Sequence, residues 1–543
     1  MRRVVCVSWL VFLALNAATS DVSAQSLATG SCESILLRAG AQAGRPFLGL
    51  KECYNCHTSG FPKDGFGEQF GILANDSWIL GNEVKTWGTQ DKHSQAYTSL
   101  LSETAKTMGI AMGVPGNIHR DKRCLACHSG FPISDMAAAD GLIDEEKYRE
   151  DLRITAGVSC EGCHGSAGGE KGWLSAHASK ETWRFLKPHE KCEKGYSNVR
   201  SVISRTQICL SCHLGNAVQG RILTHEMYAA GHPPLPAFEL ETFENLMPRH
   251  WRHLNEKSDL HKEYSARTET AFHPDELRGT RALLVAALIS QSEALRLTAN
   301  LAEGSISEEI PKPQWPDFAQ FDCYACHHDL KSESWRMAAQ FRGSPGRPRL
   351  VPWPTVLSRL AAVQALTDSG DLKRDLSSVQ SATLQSPFGN RERLIEAARS
   401  AAESAEQTAA SLSPQVLTAS DGVKLLERIS ETAELESLDY DSARQLLWAF
   451  TVVRNELHQR SVTVSENPLL SGDLTALNGM FVLDLRDGRQ RTDRIPGATQ
   501  TRLVTEVDLS ETLPPIAQYD ARAFQRAFAE LRNGQPPSAE LVK

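Results

Sequence analysis

Past its first 25 residues the chain has no uninterrupted apolar stretch of about eighteen residues, the length a helix needs to cross a bilayer. A membrane span in the mature protein is therefore not expected. Nor is there an excess of positive charge. The formal net charge is −8 over 543 residues, which argues against nucleic acid or an anionic membrane surface as a partner and is compatible with a basic protein. Cysteine is missing from everything after Cys326, roughly two hundred residues. That part of the chain therefore has no thiol chemistry of its own, and any such chemistry is confined to the first 326 residues.

Thirteen cysteines lie there, and ten of them fall into five copies of one pattern, Cys-x-x-Cys-His. The copies are Cys53-Tyr54-Asn55-Cys56-His57, Cys124-Leu125-Ala126-Cys127-His128, Cys160-Glu161-Gly162-Cys163-His164, Cys209-Leu210-Ser211-Cys212-His213 and Cys323-Tyr324-Ala325-Cys326-His327. A lone Cys-x-x-Cys fits half a zinc site or a redox dithiol equally well. A histidine after every pair points instead to covalent haem. Two thiols at this spacing reach the two vinyl groups on one porphyrin edge, and the next residue ligates the iron from the same side. Five haem c groups, each with one iron, are expected.

Each iron has a second face. Candidates for it are His93, on a stripe with Ala96, Tyr97, Leu100 and Leu101 of an amphipathic helix expected over Asp91 to Met108, and His119, just before the second motif. His177 follows the glycine-rich loop Gly165 to Gly172, which lets the chain double back. His225 and His232 are two helical turns apart, with Gly231 as a helix stop. Five proximal and five distal histidines would make every iron six-coordinate. The remaining histidines, His189, His250, His253, His261, His273, His328 and His458, read as surface, capping or propionate-contact residues.

At the N-terminus, Arg2 and Arg3, the apolar run Val4 to Ala18 and the end Val22-Ser23-Ala24 read as a signal peptide over residues 1–24. Export agrees with the motifs, because bacterial haem attachment takes place outside the inner membrane, and a periplasmic or otherwise extracytoplasmic location is expected. Loss of Cys6 with the leader leaves Cys32 and Cys192 outside the motifs. In an oxidising compartment they are able to form a disulfide, though no spacing requires it.

The fold expected is mainly α: a loop-rich multihaem domain over 25–343, a proline-rich linker at 344–354, and a helical domain over 355–543. Asp275 is positioned to cap a long helix running to Gly304 that braces the haem region. Helices are expected over Thr355 to Leu366, Arg391 to Leu412, Gly422 to Leu435, Asp441 to Gln459 and Ala521 to Leu531, while the less periodic residues near Val482 to Val507 fit either a short strand pair or an extended crossing.

The five motifs, the Lys92-His93-Ser94-Gln95-Ala96-Tyr97 segment, the Gly157-Val158-Ser159-Cys160 run and Ala230-Gly231-His232-Pro233 together resemble multihaem cytochromes of the cytochrome c-554 type. These are related to hydroxylamine oxidoreductase and the multihaem nitrite reductases. The resemblance covers roughly Cys53 to Leu330 and implies haems stacked in close pairs that pass electrons along a chain. Two departures stand out: five motifs where the c-554 proteins have four, and no Cys-x-x-Cys-Lys of the kind that marks the active haem of many nitrite reductases. A carrier serving redox partner proteins is the leading expectation, because the ligand count leaves no vacant iron. The alternative is an oxidoreductase acting on a small nitrogen or sulfur compound (nitrite, hydroxylamine or tetrathionate) at one five-coordinate iron. Donor, acceptor and oligomeric state leave no mark in the sequence.

Overall fold

The computed structural model describes residues 46–58, 80–132, 152–178, 186–253, 275–327, 346–365, 370–460, 467–481, 489–494, 501–506 and 518–535, with a few single residues between. Residues 1–24, expected to be a signal peptide, and Cys32, His261 and His328 lie outside them. The protein is mainly helical, as the sequence implies, and the described residues include one short antiparallel strand pair, 489–494 against 501–506, inside the stretch read as less periodic.

Four of the five motifs end a helix: Leu50–His57, Lys122–His128, Cys160–His164 and Val202–His213. A helix is the economical carrier because positions i, i+3 and i+4 share one face, so both thiols and the histidine point the same way. Side-chain caps fix where two of these helices begin. Asp121 accepts from Arg123 N at 2.9 Å, and Ser201 accepts from Ser204 N at 3.4 Å. The fifth motif is different, with Cys323–Ala325 in a single 3₁₀ turn capped by Asp322.

The continuous helix expected over Asp91 to Met108 is broken. A 3₁₀ turn Lys92–Gln95 and a short helix Ala96–Ser99 are followed by a separate helix Glu103–Ala111. The break has local causes. The Asp91 carboxylate takes the backbone N–H of His93 (3.0 Å), and the Ser102 hydroxyl starts the second helix by accepting from Ala105 N (3.1 Å). Tyr97 and Leu100 are still buried, as the stripe requires.

Arg278–Glu303 is the spine of the molecule. It passes a length and hydropathy test for a membrane span, but 83% of its apolar window is buried inside the protein, and its residues form core. Its first half, Leu283 to Ile289, packs with the C-terminal helices, including Leu357, Leu426, Leu446 and Phe450. Leu297 and Leu301, near its end, reach Tyr97, Leu125, Ile154 and Ile222 among the motifs. Asp275 is exposed and does not cap this helix. Glu456, from the helix Tyr440–Gln459, accepts from Gly279 N (3.0 Å) and Thr280 N (2.8 Å) instead. A carboxylate from a packed neighbour is already held in place, whereas Asp275 would have to fold back from solvent.

Of the C-terminal helices, Arg391–Leu412 matches its expected bounds. Trp353–Gln364, Ala419–Leu435, Tyr440–Gln459 and Ala521–Arg532 match within a few residues, and Gly370–Leu384 was not expected. On Arg391–Leu412 the buried face between Leu394 and Leu412 is alanine (Ala398, Ala401, Ala402, Ala405 and Ala409), so helices can approach it closely. The 344–354 stretch is tied down where it meets the fifth motif: Asp322 N donates to Arg349 O at 2.9 Å, and Val351 N to Gln320 O at 3.2 Å.

Candidate haem-binding sites

Four of the five motif histidines face a second histidine. His57 faces His177 with ring centroids 6.2 Å apart, His213 faces His93 at 6.1 Å, His128 faces His232 at 6.5 Å, and His327 faces His225 at 6.2 Å. The partners come from segments far away in the chain. An iron between two imidazoles, with metal–nitrogen bonds of about 2 Å and ring radii of about 1.1 Å, sets the centroids roughly 6 Å apart. The observed separations fit that geometry.

The other ring nitrogen gives the same answer. A ligating imidazole typically uses its remaining N–H on a carboxylate or carbonyl, which fixes the tautomer and aims the free nitrogen at the metal. His57 Nδ1 donates to Glu83 (2.9 Å), and His93 Nδ1 donates to Asp91 (2.9 Å). His128 Nδ1 donates to Ala96 O (2.6 Å), and His232 Nδ1 to Pro233 O (2.7 Å). All four leave Nε2 for an iron. Burial would push the Glu83 and Asp91 carboxyls up, but their hydrogen bonds to His57 and His93, and to backbone N–H groups, hold both below the ordinary range. Burial also pushes His213 and His232 down to about 4, so these rings stay neutral and keep the lone pair that ligation needs.

His164 has a different neighbour. The Tyr196 ring lies 6.0 Å from it at 28°. Tyr196 belongs to an aromatic cluster with Trp173 (5.6 Å) and Trp183 (5.1 Å), and both tryptophans also contact His177. Burial, followed by the charges of His250, His57 and His177, pushes His164 down to about 4. His119 sits on the 3₁₀ turn Ile118–Arg120, half-buried, leading into the second motif. Cys192 is buried and disulfide-bonded, while all ten motif cysteines are free thiols able to form thioethers.

Residues 81–165 match the family model described as cytochrome c554 and c-prime. Over that span the chain is similar to c-type cytochromes of that family. No curated protein and no solved structure matches the chain. The matched span holds the His93 segment and the second and third motifs, and a cytochrome of this kind binds haem c and works in electron transfer. In this chain the paired histidines, the motif thiols and the hydrogen-bonded Nδ1 atoms fit an iron-porphyrin.

Sequence reasoning missed the groups that orient the facing histidines. Asp91, two residues before His93, left a readable trace, and so did Pro233, next to His232. Glu83 is 26 residues from His57, and only the fold joins them.

Proposed function

We propose that the chain is an exported electron carrier, periplasmic or otherwise extracytoplasmic, holding five haem c groups through its ten motif cysteines and serving redox partner proteins. The observation that carries this reading is the set of four facing histidine pairs at 6.1–6.5 Å. Bound haem c supplies a one-electron ferric/ferrous couple. The residues do the rest. Histidine on both faces keeps the potential lower than a methionine–histidine pair would. Glu83 and Asp91 make the His57 and His93 rings better electron donors, and Phe238 and Phe243 close over His213 at 6.2 and 5.2 Å and keep water from it.

The carrier reading makes each distal histidine a separable element. His232→Ala should convert one low-spin iron to high-spin, with the covalent haem retained, as seen by visible spectroscopy and a haem-to-protein ratio. An unchanged spectrum would strike His232 from the ligands.

One observation favours a second reading, the tyrosine beside His164. An iron held there by His164 alone would be open to a small molecule beside Tyr196, Trp173 and Trp183. It would suit an oxidoreductase acting on a small nitrogen or sulfur compound. Nitrite, hydroxylamine or cyanide added to the oxidised protein should then shift a high-spin signal, and silence in that titration leaves only the carrier.

A further inference from the structure

We infer that Arg444, on the C-terminal helix Tyr440–Gln459, anchors a propionate of the haem attached at the fourth motif, Cys209 to His213. The inference rests on the five-haem reading above and adds what the C-terminal helices contribute to one of those sites. A buried cation with donors to spare carries it.

Arg444 is among the largest side chains enclosed by the protein, at 2% exposure. Its guanidinium carbon lies 5.0 Å from the centre of the Tyr440 ring and 5.0 Å from that of Trp448, so two aromatic side chains hold it in place. One donor atom is used, since Nη2 donates to Asp441 at 2.7 Å. Nε and Nη1 are buried with no hydrogen-bond partner among the described residues. The Asp441 side chain is 32% exposed and shares its charge with solvent, so it compensates the guanidinium only in part. A buried charged group with unmet N–H groups is unfavourable, and an anion brought to it removes the penalty.

The contacts around Arg444 lead to one attachment site. Trp448 packs edge-on against Phe243 (6.2 Å), and Phe243 packs edge-on against His213 (5.2 Å). Gln445, the next residue along, donates to Phe238 O at 2.7 Å, and the Phe238 ring lies 6.2 Å from His213. The first half of this helix therefore lies against the residues that pack on the fourth motif's histidine. Toward the fifth motif it meets carboxylates instead. Asp439 and Asp322 are both buried there, and Arg349 is already shared between them, at 4.0 and 3.0 Å. A propionate on that side would be repelled. Near the fourth motif, Arg205 is already paired with Glu244, and Arg221 already donates to Ser211 Oγ (2.5 Å) and Ala126 O (2.9 Å).

Haem c carries two propionates on the edge opposite its thioether bonds, and each is a carboxylate able to accept from an arginine N–H. The Arg444 charge beside one of them offsets it, favours the ferrous state and so raises the potential of that haem.

Potentiometric titration of the full haem-loaded chain tests the anchor. His93→Ala should make the fourth motif's iron high-spin, so that its couple is read apart from the rest. In that background Arg444→Met should shift this couple about tenfold toward ferric, about 59 mV for one electron, and Arg444→Lys should restore most of the shift. An unmoved couple, or a shift confined to another haem, overturns the assignment. The unaltered holoprotein gives a second measurement that needs no folded variant. Its crystal structure should place a propionate oxygen of that haem within hydrogen-bonding reach of Nε or Nη1, and only water or a protein group in that place overturns the anchor. A peptide spanning Cys209 and Cys212 without the mass of haem would sink the five-haem reading and the anchor with it, whereas haem on that peptide with Arg444 bonded elsewhere sinks the anchor alone.

Discussion

A histidine proposed as a ligand in this protein is defined as much by its hydrogen-bonded nitrogen as by its free one. Asp91 fixes both the backbone and the ring of His93, at 3.0 and 2.9 Å. Asp91→Ala should weaken ligation by His93 about 10- to 100-fold, in line with other metal sites that lose such a partner. The visible spectrum should gain a high-spin share from one iron, with Asp91→Asn giving a smaller change, and equal spectra for the two variants would refute the role. Proximal histidines were legible because covalent spacing dictates them. His93, His177, His225 and His232 were legible as candidates, but their pairing was not, since nothing local encodes a partner more than a hundred residues away. Away from the irons, Asp439 is held up at about 6 by burial and by the Asp322 charge, against the Ser442 N–H and Arg349. A carboxyl raised in the folded state binds its proton more tightly there than when unfolded. Its own contribution to stability is therefore fully present below about pH 4 and is lost as pH rises through about 6, a loss on the order of 3 kcal/mol. Asp439→Asn keeps the cap on Ser442 N (3.0 Å) and should flatten that slope in urea unfolding between pH 4 and 7; a slope equal to that of the parent would contradict the assignment.

At the scale of elements, Gly157 is where one segment crosses another. Its φ of +73° and the 2.6 Å approach of His93 O leave no room for a side chain. Gly157→Ala should cost about 1–2 kcal/mol from backbone strain alone, with the collision added, and should disturb the iron facing His93. Thermal unfolding and the visible spectrum should move together, and a neutral variant would place the crossing elsewhere. Glu456→Ala removes the acceptor for two N–H groups at the start of Arg278–Glu303 and should cost about 1 kcal/mol with no spectral change. Helices with strong apolar periodicity were legible, often to within a residue or two. Gly370–Leu384 was not, because Lys373, Arg374, Ser377, Ser378 and Ser381 break up an apolar side made of Leu372, Leu376, Val379 and Ala382. The broken helix at Ser102 shows the converse, since polar caps override a plausible stripe.

Over the whole molecule, the sequence separated a thiol-rich first part from a thiol-free second, and the structure joins them through one helix. Arg278–Glu303 lends its first half to the C-terminal core and Leu297 and Leu301 to the motifs, and the chain after the fifth motif returns to pair with Gln320 and Asp322. Such sharing is invisible to composition, because an apolar helix reads alike whichever neighbours cover it. Electron paramagnetic resonance of the oxidised protein, with iron counted per chain, tests the central claim most directly. Five haems per chain with at least four irons low-spin is the predicted result; fewer than five haems, or more than one high-spin iron, would contradict it.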